Sequence, residues 1–240
     1  GSTRRVKRRE FWKRTGVRDV QIVGFPAGMF QTNCYIVSDE SGDCVIVDPG
    51  QDAEAQVRRQ VSEAGLRPRA VLLTHGHLDH NWNAQQVADH YGVAAYIHPE
   101  DRQMLADPAK GLSLDLSAML KGAEFSEPAE VIEVFDGDTL TFGSMVFDVD
   151  HVPGHRPGSV SFRIMVETEQ GPRMVVLGGD VLFQDGVSRT DLPAGDTEVL
   201  MQSIAKKFLV LEDDAVVLPG HGPSTTIGRE RRSNPFLRDL

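Results

Sequence analysis

The chain reads as an α/β protein, a sheet system covered by helices, and three observations predict it. Apolar β-branched runs alternate with helix-spaced segments up to His98. A second series of apolar runs starts at Glu130 and continues to the last strand-like run, "AVVLPG". Several of these runs end on Gly or Pro followed by His or Asp, so ligand-type side chains sit at strand exits, where α/β sheets build their sites.

Taken in order, "VQIVGF" (Val20–Phe25) and "NCYIVSD" (Asn33–Asp39) are strands, and the second turns through Glu40-Ser41-Gly42 into "CVIVDPG". From Asp52 to Ala64, apolar residues at 53, 57, 61 and 64 have helical spacing, and Gly65 stops the helix. "RAVLLT" is a nearly all-apolar strand, "NWNAQQVADHYG" a helix ending at Gly92, and "VAAYIH" a further strand. Asp101 to Pro128, rich in Gly, Pro, Ser and Met, reads as short helices or a long surface loop. The second half supplies the strands "EVIEVF", "DTLTFG", "MVFDVDHV", "SVSFRIMV" and "RMVVLGG", a helix over Thr197–Leu209, then "AVVLPG" and a polar end from Gly228 to Asn234.

At 240 residues with 40% hydrophobic content, the chain has ample material for a core. Nothing in it reads as a membrane span or as a signal-peptide apolar region. Residues 1–15 form a basic leader, expected to be a solvated, frayed tail, with Gly1-Ser2-Thr3 as a cloning remnant. Residues 16–240 are expected to form a single domain. The leader carries +6 up to Arg14 while the whole chain carries −10, so the body is at −16 and would repel a polyanion. That balance speaks against nucleic acid as a partner. Two cysteines, Cys34 and Cys44, read as buried thiols in a reduced compartment, the cytoplasm. The sequence sets no oligomeric state.

In "THGHLDH", His75, His77, Asp79 and His80 place four ligand-type groups in six positions at the end of a strand. Residues two apart on extended chain point the same way, so His75 and His77 can grip one ion. Asp79 and His80, beyond Leu78, lie where the chain turns into a helix and can face a second. Without an ion, such crowding leaves polar groups poorly satisfied. The same device recurs at His151 and His155 in "HVPGHRPGS", at Asp180 in "VVLGGD" and at His221 in "VVLPGHG". His90 and His98 lack this setting and read as surface or capping residues. For His151, a supporting role at the metal site and ordinary strand-end packing both stay open.

"THGHLDH", "PGH", the Asp of "GGD" and the final "PGHG" resemble the metallo-β-lactamase superfamily, and within it the glyoxalase II-like, hydroxyacylglutathione hydrolase-like, short single-domain branch. The resemblance runs from about residue 18 to 235. It implies an αββα sandwich with a two-metal site at one edge of the sheets. It also implies a first metal on His75, His77 and His155, a second on Asp79, His80 and His221, and Asp180 as the bridge. Zinc is the first choice of metal, with iron or manganese also fitting nitrogen and oxygen ligands. Neither cysteine lies near a ligand motif, which argues against the β-lactamases that use a zinc-binding cysteine. "SRTDLPAGD" resembles a "GRTD" stretch of glyoxalase II-like and persulfide dioxygenase-like members, with Ser188 in place of the glycine before Arg189. Arg156 stands where such members commonly carry a small hydroxyl residue, and Arg156 and Arg189 are both candidates to contact the substrate or to support the metal ligands.

The resemblance implies hydrolysis of a small-molecule acyl-thioester of a 2-hydroxy acid by a metal-bound hydroxide, with Asp79 orienting that hydroxide or taking its proton. A thiolate leaves readily, so no strong general acid is required. Full-length glyoxalase II enzymes bind glutathione partly through a C-terminal helical domain. Only 19 residues follow His221 here, so the thiol half of the substrate stays open. The rivals are a mono-iron persulfide dioxygenase using His75, His155 and Asp180, and a metal-binding protein without catalysis.

Overall fold

The computed structural model describes residues 20–240; the basic leader lies outside the described residues. One mixed sheet holds β1 (Gln21–Ala27), β2 (Thr32–Ser38), β3 (Asp43–Val47), β4 (Arg67–Leu72), β5 (Ala95–Ile97) and β6 (Val131–Glu133) in sequence order. The first three strands pair antiparallel and the rest parallel. The parallel strands are joined by helices: α1 (Ala53–Ala64) between β3 and β4, then α2 (Leu78–Asn81) and α3 (Ala84–Tyr91) before β5. Ahead of β6 come α4 (Pro99–Arg102), two short 3-10 turns and α5 (Leu114–Ala118).

The second sheet begins as an antiparallel meander of β7 (Thr139–Phe142), β8 (Met145–His151), β9 (Val160–Thr168) and β10 (Gly171–Gly179). A small hairpin of β11 (Leu182–Phe183) and β12 (Gly186–Val187) follows, then α6 (Thr197–Ser203). The chain re-enters the second sheet as β13 (Val216–Pro219), parallel to β10, and β14 (Thr225–Thr226), before α7 (Ile227–Ser233).

Alternation along the strands divides the core into three. Val37, Val45, Val47 and Leu72 of the first sheet pack on Phe147, Val149, Phe162 and Leu177 of the second. The opposite face of the first sheet, Ile36, Ile46 and Val71, meets Val57 and Val61 of α1 and Val87 of α3. On the far side, Val176 and Val217 meet Leu200 of α6 and Ile227 of α7. This is the αββα sandwich the resemblance implied. Both cysteines are buried and unbonded.

Three local readings need adjusting. The helix expected over Asn81–Gly92 is broken at Asn83, whose N–H leaves the helix to reach Pro49 O and whose Oδ1 accepts from Glu54 N. The helix from Thr197 changes to a π-turn over Ile204–Phe208. The polar end is a helix: Thr226 caps it by accepting from Arg229 N, and Glu230 is buried against Thr225, Asn234 and the N–H of Asp185.

Candidate metal centre

Strand direction explains how residues far apart in sequence converge. Strands β3 and β4 run parallel, as do β10 and β13, and β8 runs with β10 because each is antiparallel to β9. In each sheet the strands that carry the candidate ligands therefore point the same way, and their exits meet at one edge. At the β10 exit the register with β13 shifts between Leu177 and Gly179, a bulge that re-aims the following Asp180.

Two clusters result. His75, His77 and His155 form one, and Asp79, His80, Asp180 and His221 the other, with ligand atoms inside each within 4.8 Å of one another. His77 Nδ1 lies 2.9 Å from His155 Nε2. Asp180 Oδ2 is 3.1 Å from His80 Nε2, 3.5 Å from His155 Nε2 and 3.8 Å from His75 Nε2, so this carboxylate stands between the clusters. In the second cluster, His221 Nε2 is 3.1 Å and His80 Nε2 3.4 Å from Asp79 Oδ2, while His221 Nδ1 is 3.0 Å from Asp180 Oδ1. Close approach forbids a side chain at two glycines: a Cβ on Gly76 would strike Met104 and Asp101, and one on Gly220 would strike Asp180 and His80.

The surroundings set the ring tautomers. Asp48 Oδ2 accepts from His80 Nδ1 at 2.8 Å and from Thr74 Oγ1 at 2.6 Å, and the Thr74 oxygen in turn accepts from His75 Nδ1 at 3.0 Å. One carboxylate thus turns Nε2 of both His75 and His80 toward the clusters. His155 Nδ1 donates to Arg189 O at 2.8 Å, which frees its Nε2 in the same way. His75 Nε2 is buried without a hydrogen-bond partner, as is His77 Nε2. An unpaired buried ring nitrogen facing a carboxylate 3.8 Å away fits a cation between them.

Sequence reasoning overlooked Asp48, although "VIVDPG" repeats the strand-exit device; Asp48 takes φ 51°, a left-handed conformation that Asp tolerates. It also missed Thr32, whose hydroxyl donates to Asp79 Oδ2 at 2.9 Å. The third overlooked residue is Asp101, fully buried, whose two oxygens accept from Gly76 N at 2.7 Å and Gly158 N at 2.9 Å. It ties the His75–His77 turn to the loop after His155.

The residues expected around the substrate fall differently. Arg156 is buried rather than facing the cavity: its Nη1 donates to Pro193 O and its Nε lies 3.4 Å from Asp101 Oδ1. His151 belongs to neither cluster. Its Nε2 donates to Pro157 O at 2.7 Å and its ring stacks on His98 at 4.4 Å. His98 caps α4 by accepting from Glu100 N, and His90 is exposed beside Arg58. Arg189 lies at the rim of a cavity of about 570 Å³ whose floor includes His77, Asp79, His155, Asp180 and His221.

Burial, then the His155 charge, pushes His77 down to about 3, and burial with the His80 charge pushes His75 down. Burial opposes the charged form of His221 as well, but hydrogen bonds to Asp180 and Asp79 outweigh it and raise its pKa to about 9. For chelator-treated protein the signs oppose. Below pH 6.5, the unfolded chain takes up a proton that folded His77 refuses, so stability declines toward pH 3. His221 contributes stability that is complete below 6.5 and lost as pH rises through about 9. Denaturant titrations across pH are expected to show a maximum near pH 6.5; stability climbing steadily to pH 9 would contradict the assigned shifts.

Comparison with known proteins agrees with this geometry. Residues 27–221 match the Metallo-beta-lactamase superfamily. The chain belongs to that superfamily. Its members bind a pair of metals, and the two clusters form a His/Asp set able to hold metal. The chain is 54% identical to Uncharacterized protein ML0493 of Mycobacterium leprae, over 91% of this chain and 99% of that protein. It is 40% identical to Hydroxyacylglutathione hydrolase GloC of Haemophilus influenzae, over 88% of this chain and 95% of that one. Among solved structures, BLEG-1 B3 metallo-beta-lactamase superposes with a TM-score of 0.77 at 38% identity, covering 91% of this chain and all of that one. TTHA1623 in a di-iron-bound form superposes at 0.72 and 35% identity, covering 90% and 100%. No helix among the described residues is long and apolar enough to cross a membrane.

Proposed function

We propose that the chain is a metal-dependent hydrolase of acyl-thioesters of small 2-hydroxy acids, acting as one metallo-hydrolase domain over residues 16–240. The observation that carries this reading is the pair of adjoining ligand clusters, sharing Asp180, on the floor of an open cavity. A structural metal site is closed, whereas a catalytic one keeps an open position. The relative named hydroxyacylglutathione hydrolase supports the reaction class.

Two divalent ions on these clusters would polarise a thioester carbonyl and lower the pKa of water. Zinc suits the nitrogen and oxygen donors, and iron or manganese fits them too, as the di-iron neighbour illustrates. In the proposed roles His75, His77 and His155 hold one ion, Asp79, His80 and His221 the other, and Asp180 bridges. Asp79 reaches the cavity with Thr32 fixing its carboxylate, so it can orient a water or take its proton. The substrate is a small molecule, with neither nucleic acid nor membrane as partner. The two buried free thiols support a reducing compartment, the cytoplasm.

The deciding assay follows product thiol and dissolved oxygen together, with metal-replete protein on S-lactoylglutathione, other lactoyl thioesters and glutathione persulfide. Thiol release without oxygen uptake is the expected result. Oxygen uptake with persulfide and no thioester turnover would make it a mono-iron dioxygenase on His75, His155 and Asp180. A β-lactam belongs in the same assay because of the BLEG-1 likeness. Elemental analysis should find about two ions per chain. His221→Ala should lower this toward one with the circular dichroism spectrum unchanged. An unaltered ratio would remove His221 from the ligand set.

A further inference from the structure

Above the ligand clusters the cavity walls are apolar. The β1–β2 turn contributes Met29 and Phe30, the start of α3's approach contributes Trp82, and the α5 region contributes Leu116 and Met119. Met29 and Met119 are 62% and 65% exposed and Phe30 43%, so large apolar side chains are held out in water around the mouth. Cations are scarce: among the described residues lining the cavity the one Lys or Arg is Arg189, and its guanidinium is engaged by both Asp191 oxygens at 2.7 and 2.8 Å. Nothing in that wall is arranged for the carboxylates of a peptide thiol. A lactoyl-sized acyl group over the clusters also leaves most of about 570 Å³ unfilled.

We propose that the thiol half of the substrate is apolar and uncharged, an alkyl or aryl thiol, packed between the Met29–Phe30 turn and the α5 wall. This rests on the thioesterase reading and names the part of the substrate that reading leaves open. The reaction is hydrolysis: water adds its oxygen to the acyl carbon, the carbon–sulfur bond breaks, and the sulfur leaves with the bonding pair and is released as thiol or thiolate. The specificity comes from removing the thiol's carbon chain from water, at roughly fourfold in affinity for each fully buried methylene.

The test keeps the acyl group constant and varies the thiol: S-ethyl, S-butyl and S-hexyl thioesters of lactic acid beside S-lactoylglutathione, all with the zinc-loaded full chain. From ethyl to hexyl, kcat/KM is expected to rise roughly ten- to hundredfold, mainly through KM, since burial is partial. In Leu116→Asn and Met119→Asn, which alter half-buried and exposed wall positions, the rise should flatten, with kcat/KM falling more for the S-hexyl than for the S-ethyl ester. A flat or falling series, or a glutathione thioester cleaved about tenfold better than the hexyl ester, would overturn the proposal and leave the thioesterase reading intact. If no thioester is cleaved, the functional reading fails and the cavity is tested by binding. Trp12→Phe leaves Trp82, in the cavity wall, as the only tryptophan. Its fluorescence is then titrated with the thioether analogues that carry methylene in place of carbonyl. Tighter binding of the S-hexyl than of the S-ethyl and glutathione analogues supports the apolar thiol site; equal or absent binding overturns it.

Discussion

Asp79→Ala is expected to lower kcat by about 10²- to 10⁴-fold, the range for a positioned acid–base group, with the fold intact. The side chain stands at the start of α2 and is about one-fifth exposed to the cavity. Its Oδ2 receives the Thr32 hydroxyl at 2.9 Å and faces His221 Nε2 at 3.1 Å. Burial opposes its ionisation, but the His80 charge and the His221 hydrogen bond hold its pKa down to about 2, so the carboxylate is anionic throughout the working range. Alanine removes that charge and a proposed metal ligand together. Asp79→Asn separates the two, because the amide keeps an oxygen in place without the charge. Metal content near the parental value with a large drop in kcat would assign Asp79 to the water. Loss of one ion would assign it to holding metal. A kcat within tenfold of the parent for both variants would remove it from the chemistry.

Much of this site was legible because its candidate ligands end strands that run in one direction within each sheet. Apolar runs identify the strands, and a Gly or Pro after each marks the exit, as with Gly154 before His155 and Gly220 before His221. What a linear reading misses is the set of contacts that hold those exits together. Asp101 lies in the least patterned part of the chain, and its partners Gly76 and Gly158 are 25 and 57 residues away. The break at Asn83 is equally non-local, since Pro49 O draws its N–H out of the helix. Asp48 differs: "VIVDPG" has the same strand-exit form as the ligand motifs, but its carboxylate serves rings rather than an ion. Pattern finds the position of such a residue, and only the fold gives its partner.

Arg156 shows the same limit and gives the largest expected change in stability. From its place after His155 it was expected to select among substrates, yet it is 4% exposed and turned toward Asp101 and Pro193 O. Removing one member of a buried ion pair costs about 3–5 kcal/mol, because the remaining charge is left uncompensated. Here Asp101 retains the N–H groups of Gly76 and Gly158, and the Nε–Oδ1 separation is a long 3.4 Å, so Arg156→Ala belongs at the lower end, about 3 kcal/mol. For a chain of this size that is a Tm lower by roughly 6–12 °C. Arg156→Lys should recover part of the loss through its charge, without the reach of the guanidinium to both Asp101 and Pro193 O. Relative kcat/KM values across the thioester series should stay as in the parent, since the side chain does not line the cavity. A changed substrate preference with an unchanged Tm would return Arg156 to the substrate and displace the clamp between the two ligand loops.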